Sequence, residues 1–495
     1  MEKTRSHYKF KRETLMNKSQ TATLADRVPS DQLSIQPVIS RRDFVKGSAA
    51  VTASTAFAAL SNRVSAAQLP FSDDYGPLQV TNCKATGLPL LALPDGFEYI
   101  SFGWTGQPQS DGTITNSLHD GMAVVAARGN TIALVRNHEV GSTSGRKTHP
   151  VGNRGVYNPA QGGGTSTLLF DIIKGEFVSS YNSLGGTIRN CAGGPTPWGT
   201  WLSCEETFHN WGGGNQGFNH GYVFEVPGFG ISDGKPIREM GRFSHEAAAV
   251  DPATGFVYLT EDTGTSGFYK FEPEGSWGDL KAGGTLYAMV LNNTPRLDTR
   301  FATQGTVWDV TWQEIPDPDA KSEQCFAQAN HAAIISRGEG CWYDHGKIYF
   351  CATDGGPARL GQIFCYDPRA ETCTLIFNSP DGSAVNGPDN IAVSPRGSIL
   401  MCEDGSSNPK RLVGLTQTGQ TFTFAENRMA FQSGWIDAID AAYPGTKAGF
   451  LSSPTGDFRG NEWAGATFHG RWLFVNIQTP GVTFAITGPW ENGAL

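Results

Sequence analysis

The chain has 495 residues, with 38 lysines and arginines against 47 aspartates and glutamates, and 61 glycines. The first 67 residues hold 11 basic and 5 acidic side chains, which leaves 27 against 42 beyond them; such an acidic body excludes nucleic acid as a partner, because its backbone demands clustered cations. Nine cysteines are too few for a disulfide scaffold and form no C-x-x-C pair, so neither a zinc ribbon nor a thioredoxin-like site is encoded, and the odd total leaves a thiol unpaired or metal-bound.

The chain begins with a leader. The segment SRRDFVK, Ser40 to Lys46, precedes the weakly apolar GSAAVTASTAFAAL and the small-residue stretch VSAAQ, the arrangement of a twin-arginine signal cleaved near Ala66 or Ala67. That apolar run falls short of the about 20 residues a spanning helix needs, so no stable membrane anchor is expected. Residues 1–67 are therefore read as signal and leader, and 68–495 as one catalytic domain, periplasmic or secreted and monomeric. Export machinery that carries folded cargo allows a buried thiol or a redox metal to be installed before export.

From about Asp73 the sequence is a series of short alternating segments divided by Gly, Pro, Asn and Asp, with no long apolar stripe of helical period. GFVYLTED, GKIYFCATDGG, GSILMCEDGSS and GRWLFVNIQTPG each read as a strand ending in polar residues. The polar ends recur at Glu139, Glu206, Glu261, Asp354, Asp404 and Asn476, at one-blade intervals with insertions, which predicts an all-β, six-bladed β-propeller. GSTSGRKT, Gly141 to Thr148, has one residue too few for a phosphate loop and no strand–helix context, and GGGNQG, Gly212 to Gly217, is a loop.

A finer spacing lies inside the blades. Cys191 to Glu206, Glu246 to Glu261, Glu339 to Asp354 and Asp389 to Asp404 are each fifteen residues apart, and each span reads strand, turn, strand. A hairpin returns the chain to its starting level, so both ends of each unit are expected at one mouth of the propeller, where they form an axial metal site. Glu205 and Glu403, beside Glu206 and Asp404, compete for the same ligand positions, and Cys204 competes with Cys191. Clustered carboxylates repel one another unless cations hold them together, and one thiolate among them favours a transition metal beside calcium.

The motif CAGGPTPWGTWLSCEE, with RGEG at Arg337 to Gly340 and GPDNIAVSPRG at Gly387 to Gly397, resembles the PhoX family of alkaline phosphatases, over nearly the whole chain from HDGMAV near His119 to NIQTPG near Gly481. The resemblance implies a propeller whose axial site holds iron, as ferric iron, with several calcium ions and removes phosphate from phosphomonoesters. It implies that Cys191 is an iron ligand, Glu339 a metal ligand and Arg337 a phosphate contact. In RNHE, Asn137 and Glu139 fall on one side of a strand, which makes Asn137 a second candidate for phosphate or metal contact. A calcium-dependent propeller lactonase or phosphodiesterase, or a noncatalytic calcium-bound propeller, are the alternative readings; a thiol ligand and an arginine facing the ions speak against them.

Overall fold

The computed structural model describes residues 74–141, 146–208, 217–452 and 454–495, all within one compact unit. The twin-arginine segment and the expected cleavage point lie outside the described residues, as do residues 142–145 of the rejected phosphate loop and 212–216 of the glycine loop. No helix among the described residues is long and apolar enough to cross a membrane.

The architecture is all-β. Six antiparallel meanders follow one another, opening with the strands His119–Arg128, Asn190–Pro195, His245–Val250, Gly338–Asp344, Pro388–Val393 and Trp463–His469. Each of these opening strands stands at the edge of its sheet, and each packs against the opening strand of the next meander, the sixth returning to the first. Glu98–Phe102 pairs antiparallel with Val482–Thr487, so a strand from the beginning of the described chain completes the last meander. Between the third and fourth meanders an extra strand, Val307–Glu314, pairs with Gly284–Leu291 on one side and Thr372–Asn378 on the other. That strand and its loops fill the long Glu261 to Asp354 interval.

Neighbouring meanders are held together by apolar faces. Phe268 stacks on Phe350 at 4.1 Å between ring centres and Phe350 on Phe364 at 4.8 Å, which joins the third meander to the fourth; Leu202, Val223, Leu259 and Tyr269 join the second to the third. Each fully buried Phe or Leu contributes about 1.5–3 kcal/mol of burial free energy, so the alternation legible in the sequence is what stacks the sheets. All nine cysteines are buried free thiols.

The opening strands share one irregularity. In every meander the ladder between first and second strand slips by one residue just inside the end of the first: after His119, Asn190, His245, Gly338, Pro388 and Ala464. Such a bulge twists a strand and re-aims a side chain. Two residues leave each ladder, and the second is glycine or alanine in every meander but the fifth, where it is Asn390, so the neighbouring strands close in on it. A Cβ on Gly121 would come within 2.5 Å of Ala192 Cα, and one on Gly340 within 2.6 Å of the Asp389 carbonyl oxygen. Close approach at this level sets the first residue of each bulge against its counterpart in the next meander.

Candidate metal centre

The first residues of the bulges in the first five meanders are Asp120, Cys191, Glu246, Glu339 and Asp389. The ligand atoms of Cys191, Glu206 and Glu246 lie within 4.8 Å of one another, as do those of Glu246, Glu339 and Asp389, and those of Asp389, Asp404 and Glu462. Glu246 and Asp389 are shared, so seven side chains form three linked triads. One triad contains the thiol; the other two are all-carboxylate.

The electrostatics of this arc are those of crowded, buried acids. Burial, followed by the charges of Glu339 and Asp389, pushes the Glu246 carboxyl far above the usual carboxylate range, and burial with the charges of Asp389 and Asp262 does the same to Glu339. Burial and Asp404 raise Asp389 to about 7; burial raises Glu206 to about 9, against the pull of Arg189. Glu462 and Asp120 are pushed up by burial and then by each other's neighbourhood, Asp120 for Glu462 and Glu139 for Asp120. The Cys191 thiol, also raised by burial and by Glu246, donates to the His245 carbonyl at 3.2 Å. Acids crowded this closely hold protons until a multivalent cation displaces them.

Two arginines flank the arc in matching positions. Arg337 precedes Glu339 by two residues and Arg189 precedes Cys191 by two, and both have left-handed backbone, φ +52° and +49°, a conformation that costs a non-glycine residue about 1–2 kcal/mol. Arg337 holds both oxygens of Asp262, with Nε and Nη2 at 2.9 and 3.0 Å, and gives Nη2 to Glu339 at 2.6 Å. Arg189 gives Nε to Glu139 at 3.0 Å and Nη2 to Glu206. Burial alone would lower both guanidinium values, and the ion pairs more than reverse it. Both side chains stay part exposed, at 39% and 44%. Gln478 ties the sixth meander to the first, giving Nε2 to Glu462 at 2.9 Å and to Glu139 at 3.0 Å.

Of the residues expected at the site, Cys191, Glu206, Glu246, Glu339, Asp389 and Asp404 come together, with Arg337 beside them. Glu205, Glu261, Glu403, Asp354 and Asn137 do not join the arc, and the hydrogen bonds explain why. Glu205 accepts from His220 Nδ1 at 2.6 Å and from the backbone of Ile188, Gly221 and Tyr222; Glu261 accepts from the Tyr269 hydroxyl and the Gly267 amide; Glu403 is gripped by Arg411 and the amides of Asn386 and Arg411. All three stitch the loop leading to the third strand of their meander. Asp354 pairs with Arg359 at 3.0 Å and Ser336 at 2.6 Å. Asn137 donates to the carbonyls of Cys191 and Ala192 and accepts from Trp201 Nε1 and Ser203, so it fixes the Cys191 backbone with its own capacity used up. Cys204 packs among Leu202, Val223 and Leu259.

The constant spacing of fifteen is the source of the misplacement. Aligned by the ladder, the cluster-facing end of each second strand is Glu139, Glu206, Asp262, Thr353 and Asp404, one residue beyond the ladder partners His138, Glu205, Glu261, Ala352 and Glu403. The turns differ in length, so a fixed count lands on Glu261 instead of Asp262 and on Asp354 instead of Thr353. The paired acids in CEET, TEDT and CEDG carry the better signal: the second acid of each pair is the one that faces the cluster. Asp120, Asp262, Arg189 and Glu462 were missed as site residues, whereas Glu139 was noted only as a strand end beside Asn137 in RNHE. Asp120 and Arg189 are recoverable from the ladder register, whereas nothing in GNEWAGA distinguishes Glu462 from a surface acid.

A family model for alkaline phosphatase PhoX matches residues 74–183 and 170–481, and one for the twin-arginine translocation pathway signal sequence matches 38–58. The chain belongs to the PhoX family of alkaline phosphatases. Phosphatase activity and export by the twin-arginine route follow from these matches. A structure of Pseudomonas fluorescens PhoX in complex with vanadate, a transition-state analogue, is similar in fold, with a TM-score of 0.61 at 18% identity over 86% of this chain and 99% of that one. A gluconolactonase from Xanthomonas campestris (TM-score 0.39, 12% identity, 86% and 99% covered) and a virginiamycin B lyase from Staphylococcus aureus (0.36, 11%, 79% and 99%) are too distant to inform the chemistry. No curated protein matches the chain.

Proposed function

We propose that this PhoX-family phosphatase is a phosphomonoesterase that works at a mixed iron and calcium centre, set in the axial mouth of a six-bladed β-propeller. The six successive meanders and the closed order of contacts among their opening strands support the propeller. The observation that carries the site is the sharing of Glu246 and Asp389 among three triads, of which one has a sulfur donor. Cys191, Glu206 and Glu246 fit ferric iron, since a thiolate is a poor ligand for calcium; the carboxylates of Glu339, Asp389, Asp404 and Glu462 fit calcium. When bound, the ions screen the negative phosphate oxygens and activate the attacking oxygen.

The chain's own residues do the rest. Arg337, held flat by Asp262, keeps its Nη1 without a protein acceptor among the described residues, and Arg189, held by Glu139 and Glu206, presents the same edge from the other side. Two preorganised guanidinium groups can hold the phosphate oxygens between them without having to find their orientation at each turnover. Asp262 and Glu139 position these arginines. Asn137 locks the Cys191 backbone.

The test is phosphate release from a simple aryl phosphate by the exported enzyme, before and after chelation and with iron and calcium restored separately. Activity that returns only with both ions supports the mixed centre. Activity restored in full by calcium alone would remove iron from the proposal.

A further inference from the structure

A cavity of about 260 Å³ lies in the sector between the first and sixth meanders. Its floor is continuous with the site: Ser117 lies just ahead of the strand bearing Asp120, and Thr479 and Pro480 follow directly on Gln478, whose amide binds Glu139 and Glu462. The other walls come from Phe450, Phe458 and Arg146, in loops that connect strands on the arc's side of the sheets. Arg146 is anchored through Nη2 to the Gly449 carbonyl at 2.5 Å. None of these residues takes part in the metal arc or in the arginine pair.

We infer that this cavity is the subsite for the organic half of the ester, and that it takes one aromatic ring carrying an anionic group. The inference rests on the phosphatase reading of the adjoining arc. Size sets the first limit: a dry cavity of about 150 Å³ already accommodates benzene, so this volume suits a single substituted ring and is small for a nucleoside. Chemistry sets the second. Phe450, Phe458 and Pro480 offer flat apolar walls, and Arg146 supplies a cation in an otherwise acidic surface, where an anionic substituent finds its complement. Thr479 and Pro480, next in the chain to Gln478, put this recess in the sector that adjoins the arc.

The experiment compares phenyl phosphate, 4-carboxyphenyl phosphate and glycerol 2-phosphate on the metal-loaded enzyme and on the variants Phe450→Ala and Arg146→Ala. Phe450→Ala is expected to lower kcat/KM for both aryl esters about tenfold while glycerol phosphate changes less than about twofold; Arg146→Ala is expected to act on the carboxylated ester alone. Equal losses on all three esters, or none, would overturn the subsite. Calorimetric binding of 4-hydroxybenzoate, the alcohol released from the carboxylated ester, tests the pocket without turnover: binding that Arg146→Ala abolishes supports it, and binding unaffected by both substitutions contradicts it. If wild-type enzyme hydrolysed no ester yet still bound 4-hydroxybenzoate through Arg146, the phosphatase reading would fail and the pocket would stand as a ligand site.

Discussion

Glu205 and Glu206 are neighbours in sequence and opposites in function. Strand geometry turns Glu205 into the meander, where His220 and three backbone amides satisfy it, and turns Glu206 to the mouth, where its neighbours are Cys191, Glu246 and a single arginine. The same division separates Glu261 from Asp262 and Glu403 from Asp404. A buried carboxylate surrounded by donors is satisfied as part of the scaffold, whereas one set among other acids keeps capacity to bind a cation.

Substitution on the scaffold side tests the first half of that contrast. Glu205→Ala leaves His220 and three amides unpaired in the interior and is expected to cost about 3–5 kcal/mol of stability, read by denaturant unfolding, while the folded fraction keeps its metal. Retained stability with lost metal would put Glu205 on the wrong side of the division. On the ligand side, Glu246→Gln removes an oxygen from two triads at once; metal content should fall and aryl phosphate turnover should drop about a hundredfold or more, with folding retained. Glu462→Gln, at the end of the arc, should have a smaller effect on both.

The arginines sharpen the comparison within the mouth. Arg337→Lys is expected to reduce kcat/KM about tenfold with metal content unchanged, because a point charge cannot reproduce the fork between Asp262, Glu339 and phosphate. Unchanged turnover on a simple aryl phosphate would take Arg337 out of the phosphate grip.

The smallest effect is a slope. Glu206 and Asp389 have folded values raised to about 9 and about 7, so their protons are bound more tightly in the native state than in the unfolded one. In chelated protein the stability they lend is complete below about pH 4 and is lost as pH rises through 7 towards 9. Metal-loaded protein should not show this decline, since the cations replace the protons. Parallel curves of Tm against pH for the chelated and loaded forms would mean that the ions bind elsewhere.

Much of this was legible in the sequence. Period-two alternation and turn residues announced an all-β chain, and Cys191, Glu246, Glu339 and Asp389 stood out because each begins a strand–turn–strand unit with an acid fifteen residues further on. The second strand ends were harder, because hairpin turns of unequal length shift the count by one, and a shift of one exchanges a residue buried in the meander for one that faces the cluster, as with Glu261 and Asp262. Asn137 was misread for a related reason: its side of the strand was inferable, but not that Cys191, Ala192, Trp201 and Ser203 would consume all its hydrogen bonds. Glu462 comes from a tertiary approach of the sixth meander, which no local pattern encodes.

The central claim is that Cys191 holds iron while Cys204, thirteen residues further on, only fills space. Elemental analysis of the exported protein purified without added metal, wild type beside Cys191→Ser and Cys204→Ser, tests it most directly. The account predicts iron and calcium in the wild type, loss of most iron and activity in Cys191→Ser, and wild-type metal in Cys204→Ser, with a stability cost of about 1 kcal/mol. Iron retained in Cys191→Ser and lost in Cys204→Ser would contradict it.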